Sequence, residues 1–219
     1  MITYEEIRRN EEIKAYIAAA GRSMEALGYT EHSFAHVSRV AKTAGDILRT
    51  MGYPEREVEL AMIAGFMHDI GNMVCRDAHS KTGAVMAFRI LRSLGMEPEE
   101  TAVIVTAIGN HDEGSGFPVD AMAAAMILAD KSDVRRSRVL QKDRTKFDIH
   151  DRVNYSIESS ALTINEEKTE ITLQLELDTA YCSVAEYFEI FMQRMRLCRL
   201  AADKLGLTFR LVINGARLI

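Results

Sequence analysis

The sequence predicts a mainly helical protein that ends in a small α+β part. Up to about residue 150, apolar residues recur at the three- and four-residue spacing of helices that bury one face. Beyond that point the spacing changes to alternation, as in ITLQLEL at 171–177. The 219 residues are 47% hydrophobic, which is enough for a sizeable core. We therefore expect a helical domain over residues 1–150 and a β-β-α-β extension over residues 151–219.

The first three predicted helices follow one another closely. The first begins at Thr3, where a glutamate three residues later completes a capping-box pattern, and its apolar spacing continues to Gly28. The second begins after Ser33, and its apolar stripe ends before Gly52. The third contains EVELAMIAGFM at 57–67, which is apolar nearly all round. This pattern predicts a central helix that is covered on most sides.

Three more helices are predicted before the change of period. They cover residues 82–94, a stretch that begins with EPEE at 97–100 and runs to Asn110, and a stretch from about 119 to 138.

The extension is predicted to hold strands around one helix. RVNYSIES at 152–159 and ITLQLEL are expected to form a hairpin around NEEK. A long amphipathic helix with apolar residues from Val184 to Leu205 follows, and TFRLVI at 208–213 is expected to be the last strand.

Charge and hydropathy exclude two classes of partner. The net charge is −5 at pH 7, so no overall basic field is present to hold duplex nucleic acid. No run of about 18 uncharged apolar residues occurs, and the N-terminal residues lack the pattern of a targeting segment. We expect a cytoplasmic protein with no membrane partner.

Several polar residues stand at the edges of apolar helix faces. A carboxylate buried there costs several kcal/mol unless a cation or several donors satisfy it. Taken singly, a histidine in such a position is more often a hydrogen-bonded core residue, and His32 is expected to point towards solvent. Convergence of imidazoles and carboxylates from separate helices instead favours a metal held inside the bundle. The candidates by this reasoning are His36, His68, Asp69, His111 and Asp130.

The order of these residues resembles the HD-domain superfamily of metal-dependent phosphohydrolases. MHDIGN at 67–72 matches the signature pair of that superfamily, and HVSRVAKTAGDIL and AMILADKSDVRRSR resemble its flanking helices. The resemblance covers roughly residues 30–140. It implies an HD-domain-like helical bundle in which one metal ion is held by His36, His68, Asp69 and Asp130.

Two further histidines resemble the part of the superfamily that carries a second metal. His79 in HSKTGA and His111 in GNHDEGSGFP are similar to residues of the dinucleoside-polyphosphate hydrolases and of the HD-GYP phosphodiesterases. They imply a second ion, bridged to the first by Asp69. If both are ordinary histidines, a single-metal site remains. The chain departs from the HD-GYP group at Asn110, where that group has histidine, and at Asn72, where lysine is frequent.

These residues predict a hydrolase that acts on phosphate esters or anhydrides of a small substrate, expected to be a nucleotide. Mixed imidazole and carboxylate ligands suit one or two ions of manganese, iron, zinc, cobalt or nickel, which would activate a hydroxide for attack. Asp69 would serve both metals, and Arg135 is the expected phosphate contact on an inward-facing turn. Glu113 is a candidate proton donor to the leaving oxygen. Arg136 and Arg138 are expected on a solvated face.

Three other functions are compatible with the same residues. One is an HD-GYP-like cyclic-dinucleotide phosphodiesterase. The sequence GSGFP favours it, and Asn110, where that group has histidine, is evidence against it. A non-catalytic sensor that binds metal or nucleotide would explain Asn72 and the extension. A di-iron oxygenase of the same fold could use the same ligands. We also expect a homodimer if the strands of the extension leave an unpaired edge.

Overall fold

The computed structural model describes residues 1–219 and consists of nine α-helices and one four-stranded sheet. The helices are α1 (Tyr4–Arg9), α2 (Glu11–Ala26), α3 (Phe34–Met51), α4 (Glu55–Met67), α5 (His79–Ser93), α6 (Pro98–Gly109), α7 (Ala121–Ser132), α8 (Ile149–Ser156) and α9 (Val184–Lys204). The strands are β1 (Ile157–Ile164), β2 (Glu170–Leu177), β3 (Thr208–Ile213) and β4 (Ala216–Arg217). The predicted fold class, a helical body with a small α+β extension, is confirmed.

The single N-terminal helix that the spacing predicted is two helices. The capping box at Thr3 forms as expected and begins α1. Asn10 then adopts an extended backbone with φ −66° and ψ 122°, which ends α1. The Asn10 side chain accepts a hydrogen bond from the Ile13 N–H at 3.1 Å and so begins α2. A polar residue that can cap a helix start therefore outweighs the continuous apolar spacing around it.

Helix α4 is the centre of the helical body. It packs against α3, α6 and α7, and most of its residues are buried. The approach of α3 is close because a Cβ atom at Gly65 would lie 2.9 Å from the Ala41 Cα atom and 3.0 Å from the Ala41 nitrogen. The two helices therefore meet backbone to backbone.

Two helix ends differ from the prediction and both affect the site. Helix α5 begins at His79 rather than at residue 82, directly after Ala78, whose φ of 57° is left-handed. Helix α7 ends at Ser132 rather than near residue 138, because Asp133 with ψ 68° leaves the helical conformation. Residues Arg136–Arg138 then form a separate 3₁₀ turn.

The extension packs on the helical body. Strand β1 begins at Ile157, because most of the predicted strand at 152–159 is helix α8. The sheet order is β1-β2-β3-β4; β2 and β3 are parallel with α9 between them in sequence, and the other pairs are antiparallel. Helix α9 packs against α7, and one cluster of buried apolar residues extends through both parts of the chain. None of the helices is both long and apolar enough to cross a lipid bilayer.

Replacing Gly65 with alanine tests the close contact of α3 and α4. The new methyl group would press on the backbone of α3, so we expect Gly65→Ala to lower the free energy of unfolding by about 1–3 kcal/mol. Unfolding by guanidinium chloride measures this free energy. Gly21→Ala is the matched control, because the nearest atom to a Cβ at Gly21 is 3.6 Å away and alanine favours helix interiors by up to about 1 kcal/mol. Equal stability of the two variants would contradict the close contact.

Candidate metal centre

The six residues predicted as metal ligands lie together at the point where the helices of the body meet. They come from α3, from the turn after α4, from the start of α5, from the residue after the α6 cap and from α7, and none is more than 9% exposed. They are His36, His68, Asp69, His79, His111 and Asp130.

One half of this cluster surrounds a carboxylate pair. The Nε2 atom of His36 lies 3.3 Å from Asp130 Oδ1 and 3.7 Å from Asp69 Oδ2. The Nε2 atom of His68 lies 3.3 Å from Asp69 Oδ2 and 3.7 Å from Asp130 Oδ1. Both nitrogen atoms are buried without a hydrogen-bond partner. Ligand atoms that each lie about 2.1 Å from one ion are about 3–3.5 Å from one another, so this half can accept a metal ion.

The other half faces the second oxygen of Asp69. Asp69 Oδ1 lies 3.7 Å from His79 Nε2 and 3.9 Å from His111 Nε2. The two Nε2 atoms are 3.1 Å apart. Asp69 thus presents one carboxylate oxygen to each half of the cluster, which is the arrangement of a carboxylate that bridges two ions.

The partners of the Nδ1 atoms assign the tautomers of these histidines. Nδ1 of His68 donates to Gly65 O at 2.8 Å, that of His111 to Ile108 O at 2.7 Å, and that of His79 to Arg76 O at 3.1 Å. Each Nε2 atom therefore carries a lone pair. The lone pairs of His79 and His111 face each other, an arrangement that a shared cation relieves.

His36 has a charged support instead of a carbonyl. Its Nδ1 atom donates to Asp133 Oδ2 at 2.8 Å. Arg135 donates to Asp133 Oδ1 at 2.8 Å, and Arg39 lies 3.3 Å from the same oxygen. Burial raises the pKa of the Asp133 carboxyl, but the hydrogen bond from His36 and the nearby Arg138 more than offset it and hold the pKa well below its usual range. An anionic Asp133 orients His36 and makes its Nε2 atom a stronger donor to a metal.

The HDIGN turn has local reasons for its shape. After α4 ends at Met67, Asn72 Nδ2 donates to the Asp69 carboxylate at 2.8 Å and to the Asp69 carbonyl at 3.1 Å. A Cβ atom at Gly71 would lie 2.0 Å from the His79 carbonyl oxygen. Only glycine allows the first turn of α5 to approach this closely, and this approach brings His79 to the cluster.

The electrostatics of the cluster keep both carboxylates anionic. Burial raises the pKa of Asp69, but His68 and the other imidazoles more than offset this and hold the pKa well below its usual range. The pKa of Asp130 is also held well below its usual range, since Lys131 and His36 outweigh its burial. Burial keeps the pKa of His111 well below its usual range, so its imidazole is neutral. Burial lowers the pKa of the His68 imidazole, but Asp69 and Asp130 more than offset this and raise it, so a metal ion at its Nε2 atom competes with a proton.

Arg135 lies outside the cluster, so its predicted role as the phosphate contact has no geometric support. Its guanidinium donates to Asp133 and, at 3.2 Å, to Glu31 Oε2. The inward turn was inferred from an α7 helix running to residue 138. Because α7 ends at Ser132 and Arg135 is extended, its side chain lies over an outer cleft instead.

Glu113 lies near the cluster but is unsuited to donating a proton. It accepts a hydrogen bond from Arg194 Nε at 2.8 Å, and Lys131 Nζ is 3.6 Å away. Burial raises its pKa, but these two cations more than offset this and hold the pKa below its usual value. An ionised carboxylate between two cations is a hydrogen-bond acceptor, so the expected proton donation is not supported.

A cavity of about 440 Å³ opens beside Asp69, Asp130 and His79. Its walls include five residues that sequence reasoning did not assign to the site, which are His32, Arg76, Lys131, Arg138 and Arg194. His32 precedes the helix cap Ser33, so a helical projection did not apply to it; its ring centroid lies 5.5 Å from that of His36. Arg138 is 5% exposed and donates to the Asp133 and Glu31 carbonyls, rather than lying on a solvated face. No sequence signal indicated that α9 would bring Arg194 here.

Comparisons with known proteins agree with this geometry. The family model described as HD domain matches residues 33–146, a range that contains all six clustered residues. The uncharacterized protein MJ1020 of Methanocaldococcus jannaschii is 28% identical to this chain, and the match covers 75% of this chain and 72% of that protein.

Replacing Asp133 with asparagine tests the support of His36. Asparagine keeps the shape but removes the charge that orients the imidazole, so we expect metal affinity to fall about tenfold to a hundredfold. Competition with a chromophoric chelator measures the affinity. Asp46→Asn is the control, because Asp46 pairs only with surface Lys42 and Arg49 on the same helix. An unchanged affinity in a folded Asp133→Asn variant would contradict this role.

Proposed function

The chain belongs to the HD domain family, whose model matches more than half of its 219 residues, and on this premise we propose that it is a metal-dependent phosphohydrolase. The proposed reaction is hydrolysis of a phosphate ester or anhydride of a small substrate, with nucleotides as the first class to test. Divalent transition metals are the proposed cofactor, one in each half of the cluster.

One observation carries this proposal: Asp69 turns its two carboxylate oxygens to two different pairs of imidazoles at the wall of an open cavity. Divalent ions held there would supply an activated water and would neutralise charge on the phosphoryl group. The chain itself contributes the fixed lone pairs, the anionic carboxylates and the cationic wall that would orient the substrate.

The charge of the cavity wall suits a phosphate. Six carboxylates line the cavity, of which two are the candidate ligands Asp69 and Asp130, and four Lys or Arg side chains accompany them. Two divalent ions would add four positive charges and leave the wall with an excess of two. A phosphate monoester dianion would balance this excess.

Arg76 is the cation best placed to bind a phosphoryl oxygen. Its Nη1 atom donates to Asn72 Oδ1 at 3.2 Å and lies 3.5 Å from His79 Nε2, while its guanidinium lies over the Tyr29 ring at 5.4 Å. It forms no ion pair with a carboxylate. Ligation through His79 Nε2 would free Nη1 for a substrate oxygen beside the cluster.

Lys131 has a different part in this proposal. Its Nζ atom lies 2.7 Å from Asp130 Oδ2, the carboxylate oxygen that faces away from His36 and His68. Burial lowers the pKa of Lys131, but Asp130 and Glu113 more than offset this and raise the pKa, so the side chain is charged. It holds Asp130 in position and adds a positive charge to the cavity wall.

Phosphate release from a panel of substrates tests the proposal. The protein would be loaded with manganese, iron, zinc, cobalt or nickel and offered nucleoside mono-, di- and triphosphates, dinucleoside polyphosphates and cyclic dinucleotides. We expect release that a chelator abolishes and added metal restores. Metal-loaded protein that cleaves none of them would contradict the proposal, and oxygen consumption by the iron form would point to the oxygenase alternative.

A homodimer is also proposed, with β1 as the pairing edge. Strand β1 is eight residues long and stands at one edge of the sheet, where its backbone groups have a partner on one side only. Light scattering coupled to size-exclusion chromatography would give the mass, and a monomer at all accessible concentrations would contradict this assignment.

Replacing Arg76 with glutamine tests its contact with the substrate. Losing one charge-assisted bond to a phosphoryl oxygen should raise KM about tenfold to a hundredfold. Steady-state kinetics on the best substrate of the panel measures KM. The metal content of the variant shows whether the metal centre is intact. Arg89→Gln is the control, since Arg89 is exposed on α5. Equal KM values for the two variants would contradict the contact.

A further inference from the structure

The cavity beside the metal centre has a second end that the proposed reaction does not use. Helix α8 forms this end, and its first turns place Asp148, His150, Asp151 and Asn154 in the cavity wall. Asp148 is the helix cap, since its Oδ1 atom accepts a hydrogen bond from the Asp151 N–H at 2.8 Å. The role of Asp148 is therefore explained by the helix itself.

Asp151 has no such explanation. It is 9% exposed, yet its carboxylate accepts no hydrogen bond and lies in no ion pair. The buried carboxylates of Asp69, Asp130 and Asp133 all have imidazole or cationic partners. The carboxylate oxygens of Asp151 are not sealed from solvent but open to the cavity, where they can accept hydrogen bonds from a bound molecule.

Asn154 presents a second acceptor on the same side of α8. It is 6% exposed, and its Nδ2 group donates to the His150 carbonyl at 2.9 Å. Its Oδ1 atom accepts no hydrogen bond from the protein. Residues three apart on a helix are neighbours on its surface, so Asp151 and Asn154 offer a pair of acceptors to whatever occupies this end of the cavity.

We propose that this end of the cavity is a subsite for the hydroxyl groups of a sugar phosphate, bound by Asp151 and Asn154. The proposal rests on the proposed function, because it takes the phosphate to lie at the metal centre. A carboxylate beside a neutral carboxamide suits two neutral hydroxyl donors.

The aromatic residues of the cavity wall favour a sugar over a planar base as the group that is recognised. The wall contains two aromatic apolar side chains, Tyr29 and Phe191. Arg76 lies over the Tyr29 ring at 5.4 Å, and Arg194 lies over the Phe191 ring at 4.0 Å. A guanidinium already covers a face of each ring, so stacking of a base would have to displace it.

The test compares ribose 5-phosphate with tetrahydrofurfuryl phosphate, which has the same ring and phosphate but no ring hydroxyls. For the wild-type chain we expect a kcat/KM ratio of about tenfold to a hundredfold in favour of ribose 5-phosphate, since a site built to bind hydroxyls rejects an analogue without them. Asp151→Asn should lower this ratio at least several-fold, and Asp151→Ala should do the same. Asp143→Asn is the control and should keep the ratio, because Asp143 is exposed, lies outside the cavity wall and caps a 3₁₀ turn that asparagine can also cap.

The outcomes separate this inference from the proposed function. An unchanged ratio in both Asp151 variants, or no preference in the wild type, would overturn the subsite while hydrolysis itself stands. O-phosphoethanolamine is tested as a further substrate. A preference for it over ribose 5-phosphate that depends on Asp151 would show that this end of the cavity binds an amine, and would overturn the proposed binding of sugar hydroxyls. If the metal-loaded chain cleaves no ester, calorimetric titration with ribose 5-phosphate tests the subsite by binding alone. Binding that Asp151→Asn weakens would support the subsite without the reaction, and absence of binding would overturn it.

Discussion

Two carboxylates buried at one point of a helical bundle are the constraint on which the rest of the site depends. Asp69 and Asp130 lie at this point with four imidazoles, and Lys131 provides the nearest charged side chain. Burying such groups without compensation would cost far more than a domain of this size can tolerate. The Nε2 atoms of the histidines turn inwards because carbonyl groups and Asp133 hold their Nδ1 atoms. The cluster therefore has the form of a ligand set.

The close packing of the helices brings the residues of the cluster together. Gly65 lets α3 contact the backbone of α4, so that His36 reaches the same point as the residues after α4. Gly71 lets the start of α5 contact the HDIGN turn and brings in His79. The extension then closes the cavity from the other side, through Arg194 on α9 and Asp151 on α8. Residues from both predicted parts of the chain thus form one site.

The residues of the cluster could be predicted because they combine two kinds of signal. Helical spacing placed His36, His111 and Asp130 at the core edge, and the resemblance to the HD-domain superfamily supplied His79. The predicted end of α7 near residue 138 was wrong, because a single dihedral angle at Asp133 redirects the chain before Arg135. Contacts between distant segments, such as Arg194 with Glu113, depend on how α9 packs on α7 and leave no local pattern in the sequence.

The most direct test of this account is the number of metal ions that the chain binds. Elemental analysis of the purified protein, wild type beside Asp69→Ala, reports moles of transition metal per chain after reconstitution. Since Asp69 faces both halves of the cluster, we expect close to two ions in the wild type and loss of both in the variant. A wild-type chain that binds no metal, or a variant that retains its ions, would contradict it.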